Sequence, residues 1–143
     1  MPLEVEVFLN LLRTADALAR AEVQLLKAHG LGAAQYNALR ILRGAGEGGL
    51  ACSEIGARLI ARDPDVTRIL DRLDRQGLIA RARDARDRRV VTAAITKKGR
   101  DLIAGLDRPL DELHQRQLAH MTKGDLRMLN TLLERARAPL ETP

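Results

Sequence analysis

Apolar positions from Val5 to about Ala28 recur at helical spacing. Val5, Phe8, Leu12, Ala15, Ala19, Val23 and Leu26 make one stripe, and Leu11, Leu18 and Leu25 make a second. An apolar surface this wide calls for burial on more than one side. His29-Gly30-Leu31-Gly32 stops the helix, with Gly30 suited to the left-handed position just past a helix end. A shorter helix over Ala33–Arg43 presents Tyr36, Leu39 and Leu42 on one face. Gly44-Ala45-Gly46-Glu47-Gly48-Gly49 reads as a loop. The string matches GxGxxG but follows a helix rather than a strand and has no βαβ unit around it, so a dinucleotide loop is rejected.

The pattern then predicts a short helix over Ser53–Leu59 with Ile55 and Leu59 inward, and a tight turn at Ile60-Ala61-Arg62. Asp63-Pro64-Asp65 opens the next helix, Asp63 as N-cap and Pro64 as first helical residue. Asp65 suits the positive end of the helix dipole. This helix runs to about Gln76, with Val66, Ile69, Leu70 and Leu73 inward and Thr67, Arg68, Asp71, Arg72 and Arg75 outside that stripe; Gly77 ends it. Leu78–Arg83 and Arg89–Thr96 are the two expected strands, and the charged turn Asp84–Arg88 between them makes a hairpin. A helix from about Lys98 to Ala119 follows, bent or interrupted at Pro109. Lys123–Ala138 is the last helix, opened by Thr122 and Asp125 as a loose capping box, with a frayed tail from Pro139.

Helix, short helix, turn, helix and hairpin, in that order, describe a winged helix-turn-helix. The expected fold is mainly α, with a two-stranded β wing and flanking N- and C-terminal helices. The expectation is one domain, with residues 33–97 as head and 3–29 and 98–138 as flanking helices. Composition agrees: one Phe, one Tyr and no Trp leave little for a strand-rich core.

Charge adds a location. Residues 58–100 carry 13 Arg and Lys against 6 Asp, a net of +7, whereas the other 100 residues carry 11 against 13. A basic surface confined to under a third of the chain is the footprint of polyanion binding. In a helix-turn-helix the second helix enters the major groove and presents its N-terminal half to base edges. Here that half carries Asp65, Thr67 and Arg68, with Arg72 one turn on. Arginine bonds guanine O6 and N7 through two N–H groups, which makes Arg68 the first candidate for base reading. Arg72 suits either a base or a phosphate. The competing reading is intrahelical ion pairing, Arg68 with Asp65 or Asp71 and Arg72 with Asp71. Ser53, Arg62 and Pro64 complete the candidate contacts around the turn. At the wing tip, Arg86, Arg88 and Arg89 suit the narrow, negative minor groove, and Asp87 serves as an anchor that orients a neighbouring arginine.

The segment from Asp87 to Gly99 resembles the wing of the MarR family of bacterial transcriptional regulators, in which an Asp-x-Arg precedes a strand ending in Leu-Thr-x-x-Gly. Leu59–Ile79 is similar to that family's recognition helix and first wing strand, and Gln35-Tyr36 to its second-helix start. The resemblance implies a sequence-specific regulator of double-stranded DNA, a repressor relieved by a small ligand, acting as a homodimer on a pseudo-palindromic operator. It assigns the minor-groove role to Arg88 and the Asp-x-Arg pair to Asp87 and Arg89. It also implies that the first and last two helices interlock between protomers, through Phe8, Leu12, Leu129 and Leu132. Two departures stand out. Asp65 occupies a position where relatives place a small polar donor, and it either shifts the operator or caps the helix. Ala51 replaces a Thr or Ser cap, leaving the short helix weakly capped unless Cys52 or Ser53 substitutes.

Other classes are weaker. No His-Glu-x-x-His, Cys-x-x-Cys, P-loop or Gly-x-Ser-x-Gly is present, so no enzyme and no cofactor is expected. His29, His114 and His120 are too dispersed to suggest a metal site. The single cysteine, Cys52, allows no intrachain disulfide; thiol-based sensing and a protein–protein adaptor using the basic face are the alternatives. No apolar run reaches the ~20 residues of a membrane span, and no signal peptide is seen, so a cytoplasmic protein is expected.

Overall fold

The computed structural model describes residues 1–61 and 65–141. Among them the chain forms α1 (Leu3–Lys27), α2 (Ala33–Ala45), β1 (Leu50–Ala51), α3 (Cys52–Arg58), α4 (Val66–Arg75), β2 (Ile79–Arg83), β3 (Val91–Ile95), α5 (Lys97–Gln117) and α6 (Lys123–Glu141). The core lies where α2, α3, α4, the sheet and the first half of α5 meet, and is filled by Leu39, Leu42, Ile55, Leu70, Leu73, Ile103 and Leu106. α1 contributes only Leu26 as a buried side chain, and α6 contributes none.

Two helix ends share one device. Past α1, the Gly30 N–H donates to the Lys27 carbonyl at 3.0 Å and the Leu31 N–H to the Leu26 carbonyl at 3.1 Å. Past α4, Gly77 donates to Asp74 at 2.9 Å and Leu78 to Leu73 at 3.0 Å. Both glycines hold φ +74, and each turn closes over a buried leucine pair. These are Schellman turns, as the expected role of Gly30 required.

The two-stranded wing is present as β2 and β3, and a third strand not expected from the sequence joins it in the order β1-β3-β2, all antiparallel. β2 and β3 pair from Ile79↔Ile95 to Arg83↔Val91 as a hairpin, and Leu50 and Ala51 pair with Ala93 and Thr92. Two residues are too few to show period-2 alternation, and the preceding glycines read only as loop. Gly49 makes this edge possible: its φ is +68, and a Cβ there would stand 2.1 Å from the Ala93 carbonyl oxygen.

Several expected boundaries move. α2 runs past Arg43 into the glycine-rich stretch, to Ala45. α3 starts at Cys52, capped at Ala51 without a side-chain hydrogen bond. α4 starts at Val66, and its cap is Asp65, whose carboxylate accepts from the Arg68 N–H at 3.2 Å. The expected cap Asp63, with Arg62 and Pro64, lies outside the described residues. α5 begins at Lys97, ends at Gln117, and is not interrupted at Pro109. A proline removes one helical hydrogen bond, here to the Gly105 carbonyl, and Gly105 is exposed, so that carbonyl is open to solvent. For the same reason Pro139, above exposed Arg135, does not end α6, which reaches Glu141 instead of fraying at Pro139.

Candidate nucleic-acid interface

α4 is placed by its buried side. Ile69, Leu70 and Leu73 lock α4 onto the core, which leaves Thr67, Arg68, Arg72 and Arg75 exposed. Just past α3, the backbone is held from α2: Asn37 Oδ1 accepts from the Ile60 N–H at 2.7 Å. Among the described residues, neither Arg68 nor Arg72 is held in an ion pair. The intrahelical pairs that competed with a DNA role are not formed, because the acids of α4 are engaged elsewhere. Asp65 caps the helix. Asp71 and Asp74 are both taken by Arg81 of β2: Nη1 donates to Asp71 Oδ1 at 2.6 Å, and Nε and Nη2 donate to Asp74 Oδ2 at 3.1 and 2.9 Å. These carboxylates, Asp71 first, raise the Arg81 guanidinium above its ordinary range.

The wing tip is ordered by its own polar groups. Asp84 Oδ1 accepts from the Arg86 N–H at 2.8 Å, and Arg83 Nη1 donates across the hairpin to the Arg88 carbonyl at 2.9 Å. Asp87 Oδ1 accepts from both the N–H and Nε of Arg89 at 3.1 Å, and Oδ2 accepts from Nη2 at 3.1 Å. Hydrogen bonding from Arg89 holds the Asp87 carboxyl below its usual range. The anchor expected of Asp87 is thus present. Arg86 and Arg88 are exposed beside it. Ser53 is exposed near the start of α3.

The base of the wing is joined to α5 through Thr96 and Gly99. The Thr96 hydroxyl accepts from the Gly99 N–H at 3.1 Å and donates to the Gly77 carbonyl at 2.7 Å. A Cβ on Gly99 would stand 2.3 Å from the Leu78 carbonyl oxygen and 2.8 Å from Ile95 Cγ1. A Thr-x-x-Gly here is therefore a packing requirement. Lys98 Nζ donates to the Gln76 carbonyl at 2.8 Å, and Gln76 Nε2 reaches the Gly30 carbonyl at 3.1 Å, so the end of α4 touches the ends of both α1 and α5.

Sequence reasoning missed Arg81, Arg83 and the pair Arg43–Asp107. Arg43 of α2 donates to both carboxylate oxygens of Asp107 in α5, at 2.8 and 3.0 Å. Acids at i and i+3 on one helix with an arginine two residues into the next strand are a signal for the first. Nothing in the sequence pairs residues 64 apart. Cys52 is half-buried, and burial pushes its thiol up, against the thiolate that sensing needs. A cavity of about 330 Å³ lies between α1, α2 and the turn after α3, lined by Glu22, Leu26, Tyr36, Asn37, Arg40 and Leu59 among others. Phe8, Leu12, Leu129 and Leu132 are 58, 53, 38 and 50% exposed.

Residues 29–90 match the model of the MarR family. The HTH-type transcriptional repressor IacR of Pseudomonas putida is 33% identical over 119 residues, covering 83% of this chain and 70% of that protein. A MarR transcription factor from Planctomyces limnophilus superposes with a TM-score of 0.73 at 39% identity, covering 94% of this chain and 97% of that one. The chain belongs to the MarR family. The HTH-type transcriptional regulator TtmR of Methylorubrum extorquens is 41% identical over 93 residues, but this MarR-family chain spans only 47% of its length. The matched stretch 29–90 contains α4 and the wing tip, the two elements on which the exposed arginines stand. Among the described residues, no helix is long and apolar enough to cross a membrane.

Proposed function

We propose that this chain is a dimeric transcriptional repressor that binds a pseudo-palindromic duplex operator in the cytoplasm and is released by a small ligand. One observation carries the DNA reading: among the described residues, α4 leaves its outward cations out of ion pairs and engages its anions. Arg68 and Arg72 are exposed, while Asp65 is folded onto the helix N-terminus and Asp71 and Asp74 onto Arg81. In this reading Arg68 takes a guanine edge in the major groove, and Thr67 and Arg72 contact bases or phosphates beside it. Ser53, exposed near the start of α3, contacts the same groove. Arg88 enters the minor groove, with Arg86 alongside and Arg89 held by Asp87.

The exposed apolar faces of α1 and α6 join two protomers, and the two reading helices then span half-sites about 34–36 Å apart. The cavity beside Tyr36 receives the ligand. Its position between α1 and the turn leading into α4 lets occupancy bias the orientation of the reading helix. Selection of bound sites from random duplex DNA, followed by affinity measurements over a range of salt, tests the reading. A two-fold symmetric site and a steep salt dependence are expected. Recovery of no preferred sequence, with salt-independent binding to a protein partner, would overturn it in favour of an adaptor.

A further inference from the structure

Arg81 stands on the wing strand, yet its guanidinium is turned back onto the reading helix. Three of its N–H groups go to two carboxylates one helical turn apart, Asp71 and Asp74. Two consequences follow. Without a cation between them, two negative charges would stand on the helix that approaches phosphate, where like charges repel. A contact at two points along α4 also adds to its core anchor in setting the angle between that helix and β2. The planar fork of arginine suits this geometry and the single ammonium of lysine does not. The fold itself does not rest on the contact. Leu78 and Ile79 anchor β2 in the core, Ile69, Leu70 and Leu73 anchor α4, and the Schellman turn at Gly77 joins them.

We propose that Arg81 is a positioning residue for DNA recognition: by clamping Asp71 and Asp74 it masks the negative charge of α4 and fixes the angle between α4 and the wing. Arg68 and the wing arginines then engage one site together. The inference rests on α4 and the wing being the DNA-contacting elements.

The test compares the full chain with Arg81→Met, Arg81→Lys, Asp71→Asn/Asp74→Asn, and the triple variant carrying methionine and both asparagines. The probes are the operator duplex selected by the wild type and a scrambled duplex of equal length, each titrated over a range of salt, with thermal unfolding measured alongside. Arg81→Met is expected to lose operator affinity by about tenfold, the size of a coupled charge pair, with an unchanged salt slope. The triple variant, with no carboxylates left bare, recovers most of that loss. Asp71→Asn/Asp74→Asn frees the guanidinium and raises affinity for the scrambled duplex. Arg81→Lys keeps scrambled-duplex affinity and loses operator preference; it carries the test should the methionine variant not fold.

Wild-type affinity in Arg81→Met, wild-type preference in Arg81→Lys, or no recovery in the triple variant overturns the inference. A salt slope reduced by about one in Arg81→Met also overturns it, by marking a direct phosphate contact. A loss of thermal stability with operator affinity intact reduces Arg81 to a structural contact. If the wild type selects no operator at all, the functional reading falls, and the inference with it.

Discussion

Asp87 holds Arg89 by three hydrogen bonds, one to the backbone N–H and two to the guanidinium, so a single carboxylate fixes both the turn of the wing tip and the direction of one arginine. The same bonds hold the Asp87 carboxyl below its usual range. A group whose folded value is lowered contributes order above its unfolded value of about 3.9 and loses that contribution as pH falls through the folded value. The wing tip should therefore stay ordered through ordinary carboxylate titration and loosen only below it. An NMR pH titration following the Arg89 amide and Nε resonances checks this. Asp87→Asn should abolish the titration and weaken operator binding less than Arg88→Ala; a resonance that moves in the ordinary carboxylate range would contradict the anchor.

Arg68→Ala should cost about 1–3 kcal/mol of operator binding and relax sequence choice at one base pair per half-site. Arg88→Ala should also weaken binding, with a smaller loss of sequence choice. Affinities measured on a set of single-base operator variants separate the two. Wild-type behaviour of both proteins would mean that α4 and the wing are not the contact surfaces.

How legible these features were in the sequence depended on whether a partner was local. Asp87 and Arg89 are two residues apart, and their pairing could be anticipated; so could the Schellman turn at Gly30 and the Thr122 cap, whose hydroxyl accepts from the Asp125 N–H at 3.1 Å. The apolar stripe of α4 was clear enough to put Arg68 and Arg72 outside. What failed was competition between partners: Asp71 looked equally available to Arg68 and Arg72, but the return of β2 alongside α4 brought Arg81 to it. β1 failed for another reason, since its pairing with β3 is specified by the space available beside Gly49 and not by any pattern in Leu50 and Ala51. Neither the interruption at Pro109 nor the fraying from Pro139 occurred, because the cost of a proline depends on whether the freed carbonyl is open to water.

Gly99→Ala should destabilise the fold by about 1–3 kcal/mol, the usual cost of forcing atoms into filled space. The new Cβ meets a backbone carbonyl and a buried isoleucine, neither of which can swing aside. Chemical denaturation checks the value. Gly105→Ala, with open space around its Cβ, is the control and should leave stability unchanged or improved.

Polar substitutions at Leu12 and Leu129 should give monomers with poor operator binding, since these side chains are exposed in the single chain and gain nothing locally from being apolar. Sedimentation velocity reads the outcome. A dimer that survives both changes would place the interface elsewhere.

α5 passes through Pro109 without stopping, and its 21 residues make a rod about 31 Å long. Near its middle, Asp107 is bolted to Arg43 of α2, while Gln117 at its far end reaches the Leu18 carbonyl of α1 at 3.0 Å. A rod fixed in this way is a lever. Pivoted at Asp107, each arm is about 15 Å long, so a tilt of about six degrees moves an end by about 1.6 Å. If α4 and the wing contact DNA as proposed, a rearrangement among the outer helices would reach them through this rod as a tilt, with no need for the head to unfold.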